Sequence, residues 1–388
     1  FGNSRPNGGS TVLGLNVYAD GVIVCSGDGI FFSADGTSWL QINRASVANS
    51  GDDHTAFTGR SMDARTSQAQ VTFTVFEGNT DYGQIIITDG VNKPFLFSMT
   101  GTGGLTTRTF FAEEVTVDGT TAPTVCVIHD SHLVVAGAPS AKNTIYYSSL
   151  LDPSSFSGSG AGAAVLPDQV VGIKSFRDDL MIFCRNSIHK LVNINDALTI
   201  AVVPVTQNVG CLSSHSIQEI GGDLVFLSPD GIRSVAGTAR IGDVELGSVS
   251  RQIQSVIATL ANSVNAYTLS STVLRSKSQY RLFFSQVGGS STSALGIIGT
   301  LTPNGFEWSE TKGIQATGIT AGFNSDGIEK TYHGDNKGYI YNHDTGNAFS
   351  DAGTAFNISA KYSTPNYDFG DIGTRKTLYY VKISVSPE

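Results

Sequence analysis

Charged residues are scarce in this sequence. Asp, Glu, Lys and Arg together make up 15% of the 388 residues, whereas about 25% is usual for soluble domains. Ser, Thr, Asn and the 44 glycines must therefore cover much of the surface. A charge-poor surface is expected where a protein contacts other protein, because interface cores are depleted of charge. A merely polar surface remains an equally open interpretation.

Basic clusters and long apolar runs are also missing. The formal net charge is -9, and binding to nucleic acid by phosphate neutralisation requires a Lys/Arg patch. The sequence therefore argues against this mode of binding. No stretch approaches the roughly 18 consecutive apolar residues of a membrane-spanning helix, so we expect no membrane insertion.

Closely spaced cysteines are absent. Cys25, Cys126, Cys184 and Cys211 lie far apart and form no CxxC pair, which excludes the metal and redox motifs that depend on close spacing. Three of them sit in apolar, strand-like runs, where a free thiol behaves as a small hydrophobic residue. We therefore expect buried, reduced cysteines and folding in a reducing cytosol.

Motifs that carry catalysis or bind ligands are lacking as well. The sequence contains no GxSxG elbow, P-loop, HExxH or complete EF-hand loop. Two local pairs, His129 with His132 and Cys211 with His215, could ligate a metal only if strand or turn geometry made them converge, which is rare. We expect no catalytic, cofactor-binding or metal-binding residues, no cofactor, and no enzymatic activity.

Three carboxylate doublets could suggest a glycosidase. They are Asp52-Asp53, Glu113-Glu114 and Asp178-Asp179. Neighbours on a strand point to opposite faces, so a doublet does not by itself form the opposed acid and base that glycoside hydrolysis needs. Carboxylates from different parts of the fold could still meet.

What the sequence does contain is short strands. Runs of four to eight residues rich in Val, Ile, Phe, Tyr and Thr, such as GVIVCSG and DLMIFCR, are bounded by Gly, Asp, Asn or Ser. One helix is predicted in SRQIQSVIATLANSV, where Ile253, Val256, Ile257 and Leu260 share one face of a 3.6-residue period. The fold class is therefore all-β.

A recurring Asp-Gly phrase indicates a repeat. It occurs at Asp28, Asp89, Asp230 and Asp326, at separations of 61, 141 and 96 residues. The last two are about three and two times 47, and a propeller blade of four antiparallel strands takes about 40 to 50 residues. The alternative is four unrelated hairpins that share a common turn dipeptide.

A second phrase supports blades. The stretch IFFSADGTSW, Ile30 to Trp39, resembles the Asp-box of sialidase-like propellers, although it is one residue short of the commonest form and occurs once. Strand clusters predict six or seven four-stranded blades within residues 1–345, one short helix, and a strand segment at 346–388 that closes or extends the propeller. The stretches RASVANSGDDHTAFTGR, SFSGSGAGAAVLP and QVGGSSTSA are predicted as exposed loops.

The most distinctive segment is HDSHLVVAGAPSAKNTIYYSSLLDPSSF, which begins at His129. Two alternating strands are followed by Ser148-Ser149, and then by Asp152-Pro153, where the proline cannot donate a ladder hydrogen bond. Phe156 is expected to fold back as a hydrophobic plug. We predict that Asp152, Pro153 and Phe156 form a subunit-contact loop.

The order of phrases from HLVVAG through NTIYYSSLLDPSSF, DQVVGIKSFRDDLMIFCRNSIHKLV and VGCLSSHSIQEIGGDLVFLSPDGIRSVAG to the helix resembles a known family. It is similar to the β-propeller tail stabilisation or nozzle (tail tubular) proteins of short-tailed bacteriophages. The resemblance covers about residues 127–262. Its motifs pack blades together and carry no active site.

The resemblance implies a structural protein of the virion tail, folded in the host cytoplasm. It implies a homo-hexameric ring around the DNA ejection channel that stabilises packaged DNA and contacts other tail proteins, on the adaptor or portal side and at fibres or needle. DNA would pass without specific binding, and an acidic lumen would repel its phosphates. A receptor- or glycan-binding propeller at the tail tip is the alternative, followed by a glycan hydrolase.

Overall fold

The computed structural model describes most of the chain. The described residues are 5–42, 66, 68–78, 81–101, 108–117, 122–235, 249–286, 294–324, 326–345, 349–351, 354–358, 361, 375 and 377. They belong to two compact units, residues 1–345 and residues 346–388.

Within residues 1–345, the described strands form seven antiparallel sheets, each a meander in which strands adjacent in sequence are adjacent in space. Blades 1 to 3 contain β1 (Val12–Tyr18), β2 (Gly21–Ser26), β3 (Gly29–Ser33), β4 (Leu40–Gln41), β5 (Thr72–Phe76), β6 (Gln84–Thr88), β7 (Phe95–Thr100), β8 (Thr109–Glu114), β9 (Val125–His129), β10 (His132–Ala138), β11 (Ala141–Tyr147) and β12 (Gly162–Val165). Blades 4 to 7 contain β13 (Val170–Phe176), β14 (Asp179–Cys184), β15 (Ile188–Val192), β16 (Ala201–Thr206), β17 (Gln218–Ile220), β18 (Asp223–Ser228), β19 (Gly231–Ser234), β20 (Tyr267–Leu274), β21 (Gln279–Gln286), β22 (Leu295–Thr302), β23 (Gly305–Lys312), β24 (Gly318–Phe323), β25 (Glu329–Gly334) and β26 (Ile340–Asn342).

The all-β, seven-bladed propeller confirms the predicted fold class. Five blades show four strands, and blades 5 and 7 show three strands within the described residues. In the second unit, β27 (Phe349–Asp351) and β28 (Thr354–Phe356) pair as a hairpin. That residues 346–388 close or extend the propeller stays a prediction.

The predicted helix is present between blades 5 and 6. A 3-10 turn at Arg251–Ile253 leads into α1, Gln254–Asn262. Ile257 and Leu260 are buried, and they pack with residues of both flanking blades. Further 3-10 turns are Pro6–Gly9, Ser214–Ser216 and Val264–Ala266. In the described part of the chain, no helix is long and apolar enough to cross a membrane.

Each pair of neighbouring blades encloses its own hydrophobic cluster, because the middle strands are buried on both faces. In β14, Leu180 and Ile182 pack toward blade 3, whereas Met181 and Phe183 pack toward blade 5. Side chains alternate along a strand, so a strand lying between two neighbours needs apolar residues at every position. This explains the continuous apolar runs that the sequence shows.

The ring closes between blade 7 and blade 1. The Val12 amide donates to the Asp335 carbonyl oxygen at 3.0 Å, and the Thr317 hydroxyl donates to the Val12 carbonyl oxygen at 2.6 Å. A Cβ at Gly318 would lie 2.9 Å from the Cα of Gly14. The first and last inner strands therefore approach more closely than side chains would allow.

The Asp-Gly phrases occupy two different kinds of turn. Asp28, Asp89 and Asp230 lie between the second and third strands of blades 1, 2 and 5, so the 141-residue separation spans three blades. Asp326 instead lies between the first and second strands of blade 7. The Asp-Gly phrase therefore follows the repeat in its first three occurrences, and its fourth occurrence is a different hairpin.

One loop prediction was wrong in part. Within SFSGSGAGAAVLP, residues Gly162–Val165 form β12 and pair with β11. This outermost strand buries little surface, so its small residues carry no apolar signal that would reveal a strand. Of the other two predicted loops, residues 44–60 and 287–293 lie outside the described residues.

Candidate functional site

The serine pair after β11 fixes the start of the loop that the sequence singled out. Ser148 is fully buried, and its hydroxyl accepts the Leu133 amide at 2.9 Å, while its own amide donates to the Leu133 carbonyl oxygen at 2.9 Å. The Ser149 amide donates to the Ser155 carbonyl oxygen at 2.7 Å. The loop is therefore tied to β10 and closed on itself.

The three predicted contact residues differ in exposure. Asp152 is exposed, and its Oδ1 accepts from the Ser154 amide at 3.0 Å and from the Ser154 hydroxyl at 2.8 Å. Pro153 is buried, and Phe156 is 6% exposed in the cluster between blades 2 and 3. Phe156 is thus the plug that the sequence predicted. Asp152 alone of the three presents its side chain to solvent, and a subunit-contact role for the loop stays a prediction.

Two exposed leucines lie within this loop, and a third lies on the neighbouring blade. Leu150 and Leu151 are 51% and 67% exposed, and Leu151 has a φ of 61°, a left-handed conformation that is costly for a bulky side chain. Leu198, in the turn between β15 and β16, is 95% exposed. We refer to Leu150, Leu151 and Leu198 as the leucine patch.

Two hydrogen bonds bring these leucines to one side of blades 3 and 4. The Leu151 amide donates to the Ser131 carbonyl oxygen at 2.9 Å, in the two-residue turn between β9 and β10. The adjacent His132 Nε2 lies 2.9 Å from Oδ1 of Asn195, three residues before Leu198. The leucine patch therefore lies on the face that carries this turn.

The local His and Cys pairs are engaged within the fold. His129 Nδ1 bonds with the Ser175 hydroxyl at 2.9 Å, and His132 Nδ1 donates to the Ser148 carbonyl oxygen at 2.6 Å. The Cys211 thiol donates a hydrogen bond to a backbone oxygen at 3.2 Å. Burial lowers the pKa of His215 to about 4. Among the described residues, no group of three or more His, Cys, Asp or Glu side chains could hold a metal ion.

Two of the three carboxylate doublets lie within the described residues, and neither forms an opposed pair. Glu113 and Glu114 are successive residues of β8 and so project to opposite faces. Asp179 pairs with Lys190 at 2.8 Å, while Asp178 is exposed. Asp52-Asp53 lies outside the described residues. The two described doublets therefore do not supply the acid and base of a hydrolase.

The innermost strands of all seven blades surround an axial cavity of about 330 Å³. Its wall is mainly polar, with Asn16, Thr72, Gln218 and Thr272 among the lining residues. Gln70, just before β5 in blade 2, crosses this space: its Nε2 donates to the Leu269 carbonyl oxygen of β20 in blade 6 at 2.5 Å. The axis of the propeller is thus bridged by protein.

Among the described residues that line this cavity, Lys174 is the one lysine or arginine, and none is a carboxylate. Burial lowers the pKa of its amine, opposed by the nearby negative charge of Glu219. Some polar side chains of the wall bond to neighbouring blades; for example, Gln218 Nε2 donates to the Ser271 carbonyl oxygen at 2.9 Å. Polar contacts between blades therefore line the cavity, and its described residues include no paired carboxylates.

The structure also joins two histidines that sequence reasoning missed. The rings of His333 and His343 lie 4.6 Å apart, and that of His333 stacks on Tyr341 at 4.7 Å. Arg281 Nη1 lies 3.3 Å from His343 Nδ1. Burial lowers the pKa of both histidines, that of His343 to about 4. The ten-residue separation gives no signal, because the register of β25 against β26 makes the contact.

Comparison with known proteins relates this chain to others through its fold. No protein-family model matches it, and no curated protein matches it significantly in sequence. Among solved structures, two crystal structures of the extracellular domain of BT4673 from B. thetaiotaomicron each align with a TM-score of 0.50 at 11% identity. They cover 87% and 88% of this chain, which spans only 38% and 39% of theirs. Identity this low shows the fold alone, and that fold is a seven-bladed β-propeller.

Proposed function

We propose that this chain is a structural protein of a bacteriophage tail that assembles into a homo-hexameric ring around the DNA ejection channel. The observation that carries the proposal is Leu151, which is 67% exposed in a left-handed conformation beside the 51% exposed Leu150. Packing among the described residues does not account for a strained leucine that faces solvent. A strained backbone conformation of this kind is typically found at functional sites. Contact with a second copy of the chain would bury the side chains of both Leu150 and Leu151.

The position of these leucines supports the same role. They lie in the SSLLDPSSF loop, within residues 127–262, where the sequence resembles phage tail propellers. Leu198 adds a third exposed leucine on the same side of the neighbouring blade. Fully burying one leucine contributes about 1.5–3 kcal/mol, so three such residues can anchor a contact between subunits.

DNA would pass through the centre of the ring of copies. The propeller axis is unsuitable, because the bond from Gln70 to Leu269 bridges a cavity of about 330 Å³. The major groove of duplex DNA alone is about 12 Å wide. We therefore place the ejection channel between subunits, with each propeller forming one segment of its wall.

The charge of the chain fits a wall along which DNA slides. A net charge of -9 repels phosphates, and tight binding would require a Lys/Arg patch that exchanges counterions. A basic lining of the ring lumen would contradict this part of the proposal.

Electron cryo-microscopy of assembled tails tests the proposal. The expected result is a ring of six propellers with Leu151 at the contact between copies. A tail density without this propeller would overturn the proposal. The proposal would also be overturned if phage particles that lack this protein retained packaged DNA and infected normally.

A further inference from the structure

A second cavity lies between blades 4 and 5, with a volume of about 440 Å³. Its walls are the turn after β14, the link from β16 to Gly210, and the turn after β18. Ligand cavities typically measure about 300–1,000 Å³. The cavity is therefore large enough for a small organic molecule.

A buried arginine forms part of the wall. Arg233 is 2% exposed, its Nε donates to Asp230 Oδ1 at 2.8 Å, and its Nη2 donates to Asp230 Oδ2. Its Nη1 has no hydrogen-bond partner among the described residues. Buried donors are nearly always paired, because an unpaired donor loses its hydrogen bonds to water without replacement. One edge of the guanidinium is thus satisfied by Asp230, while its remaining nitrogen lacks an acceptor.

A second arginine makes the net charge of the side chains that line this cavity positive. Arg185 is exposed at the turn after β14, and no hydrogen bond or ion pair engages its guanidinium among the described residues. Arg233 and Asp230 neutralise one another, so Arg185 supplies a charge of about +1. The pKa of Asp230 is lowered by its hydrogen bond from Arg233, which keeps that carboxylate ionised and unable to donate.

Amide side chains complete the polar wall. Asn186, Gln207 and Asn208 line the cavity, are exposed, and make no side-chain hydrogen bond within the described chain. Amides both donate and accept, and therefore suit hydroxyl groups. Val209 and Pro229 add apolar surface. Two guanidinium donors beside free amides constitute a chemistry suited to a carboxylate that carries hydroxyls.

We propose that the cavity between blades 4 and 5 binds a small hydroxylated carboxylate, of which a sugar acid is the representative. The carboxylate accepts from Arg233 and Arg185, since planar guanidinium matches planar carboxylate. The amides of Asn186, Gln207 and Asn208 bond the hydroxyl groups. This binding does not depend on ring assembly, so it can stand if the proposed structural role fails.

Isothermal titration of the purified chain tests the site with three probes: D-glucuronate, D-glucose and inorganic phosphate. We expect saturable binding of glucuronate and at least about tenfold weaker binding of glucose, because a charged hydrogen bond contributes about 1.5–3 kcal/mol. Failure of glucuronate to bind, equal binding of glucose, or binding of phosphate alone would each overturn the assignment.

Variants locate the binding. Arg185→Gln removes an exposed, unpaired guanidinium and should weaken glucuronate binding at least about tenfold. Arg177→Gln is the charge-matched control: Arg177 lies in the turn between β13 and β14 and bonds the Gly222 carbonyl oxygen at 3.1 Å, outside the cavity wall. Equal weakening in both variants would contradict the proposed site.

Arg233 is buried and paired with Asp230, so its test uses a substitution that keeps the positive charge. Arg233→Lys retains the charge opposite Asp230 but lacks the free Nη1, so glucuronate binding should weaken while the chain still unfolds cooperatively. If Arg233→Lys unfolds the chain, Asn208→Ala replaces it, with an expected loss of about threefold or more from one neutral hydrogen bond. Unchanged binding in the folded variant would overturn the role assigned to that residue in the site.

Discussion

Gln70 Nε2 donates a hydrogen bond of 2.5 Å to the carbonyl oxygen of Leu269, which joins blade 2 to blade 6 across the axial cavity. The two residues are separated by two blades on one side of the ring and by three on the other. A single side chain therefore links opposite parts of the propeller. The bond makes the axis a structural element of the protein.

Replacing Gln70 tests the importance of this bridge. Gln70→Ala should lower the free energy of unfolding by about 1–2 kcal/mol, because it leaves the Leu269 carbonyl oxygen without its donor. Urea denaturation measures the change. Gln207→Ala is the control, since Gln207 is exposed and should change stability by less than about 0.5 kcal/mol. Equal effects in the two variants would show that the bridge adds nothing.

Leu151 should affect assembly and folding in opposite directions. Leu151→Gly removes the cost of the left-handed backbone, about 1–2 kcal/mol, against a comparable loss of chain entropy. We therefore expect the isolated chain to be as stable or slightly more stable, while self-association weakens about tenfold or more.

Sedimentation and thermal denaturation of the same Leu151→Gly sample separate these effects. Val91→Ser removes a 47% exposed apolar side chain in the turn between β6 and β7, and should leave association unchanged. Association that is insensitive to Leu151→Gly would refute a contact through this loop.

Phe156 and Asp152 should behave differently although they share a loop. Phe156→Ala should destabilise the chain by about 3–5 kcal/mol, because Phe156 is 6% exposed in the cluster between blades 2 and 3. Asp152→Ala removes an exposed acceptor for Ser154 and should cost about 1 kcal/mol or less. Chemical denaturation of both variants compares them. A small effect of Phe156→Ala would mean that this ring does not act as a plug.

Stability should fall as the pH drops below about 6.5. Burial lowers the pKa of His343 from 6.5 to about 4, and nearby Arg281 opposes protonation further, while Asp344 favours it. The unfolded chain therefore binds a proton that the folded chain excludes. The stabilisation is fully present above about pH 6.5 and is lost as the pH falls toward 4.

The lowered pKa of His343 contributes at most about 3 kcal/mol to the change in the free energy of unfolding with pH. Urea denaturation between pH 7 and pH 4.5 measures it, and His343→Gln should flatten the dependence. The ring of His333 lies 4.6 Å from that of His343, and its pKa is also lowered. Some dependence of stability on pH should therefore remain in the variant. An equally steep decline in His343→Gln would assign the effect to other groups.

The thiols should be unreactive in the folded chain. All four cysteines are free and buried, and burial raises the pKa of Cys126, Cys184 and Cys211 to about 12. Only the thiolate reacts, so a thiol reagent at pH 8 should titrate none in the native chain and four after denaturation. Rapid labelling of the native chain would indicate that a blade opens.

The sequence allowed the blades to be predicted because each middle strand is buried on both faces. Leu180 to Phe183 are all apolar, and in the structure they divide between two clusters. The helix was predicted from Ile257 and Leu260, which are buried as expected. The outer strand β12 was missed, since an edge that buries little needs no apolar pattern.

The candidate sites were less accessible from sequence. Phe156 could be predicted as a plug because an aromatic residue follows shortly after Asp152-Pro153, where the proline prevents the chain from continuing as a strand. Arg185 and Arg233 are 48 positions apart, and they line one cavity because blades 4 and 5 are neighbours. The spacing of residues along the sequence does not show that two such arginines line the same cavity.

By itself, the sequence determined most of the strand content, the helix between blades 5 and 6, and the burial of its cysteines. These follow from local alternation, periodicity and hydrophobicity, which act over a few residues. Only the tertiary structure decided that Gln70 bridges the axis, that Leu151 is strained and exposed, and that two arginines face one cavity. Those features arise from contacts between blades, whose geometry depends on closing the whole ring.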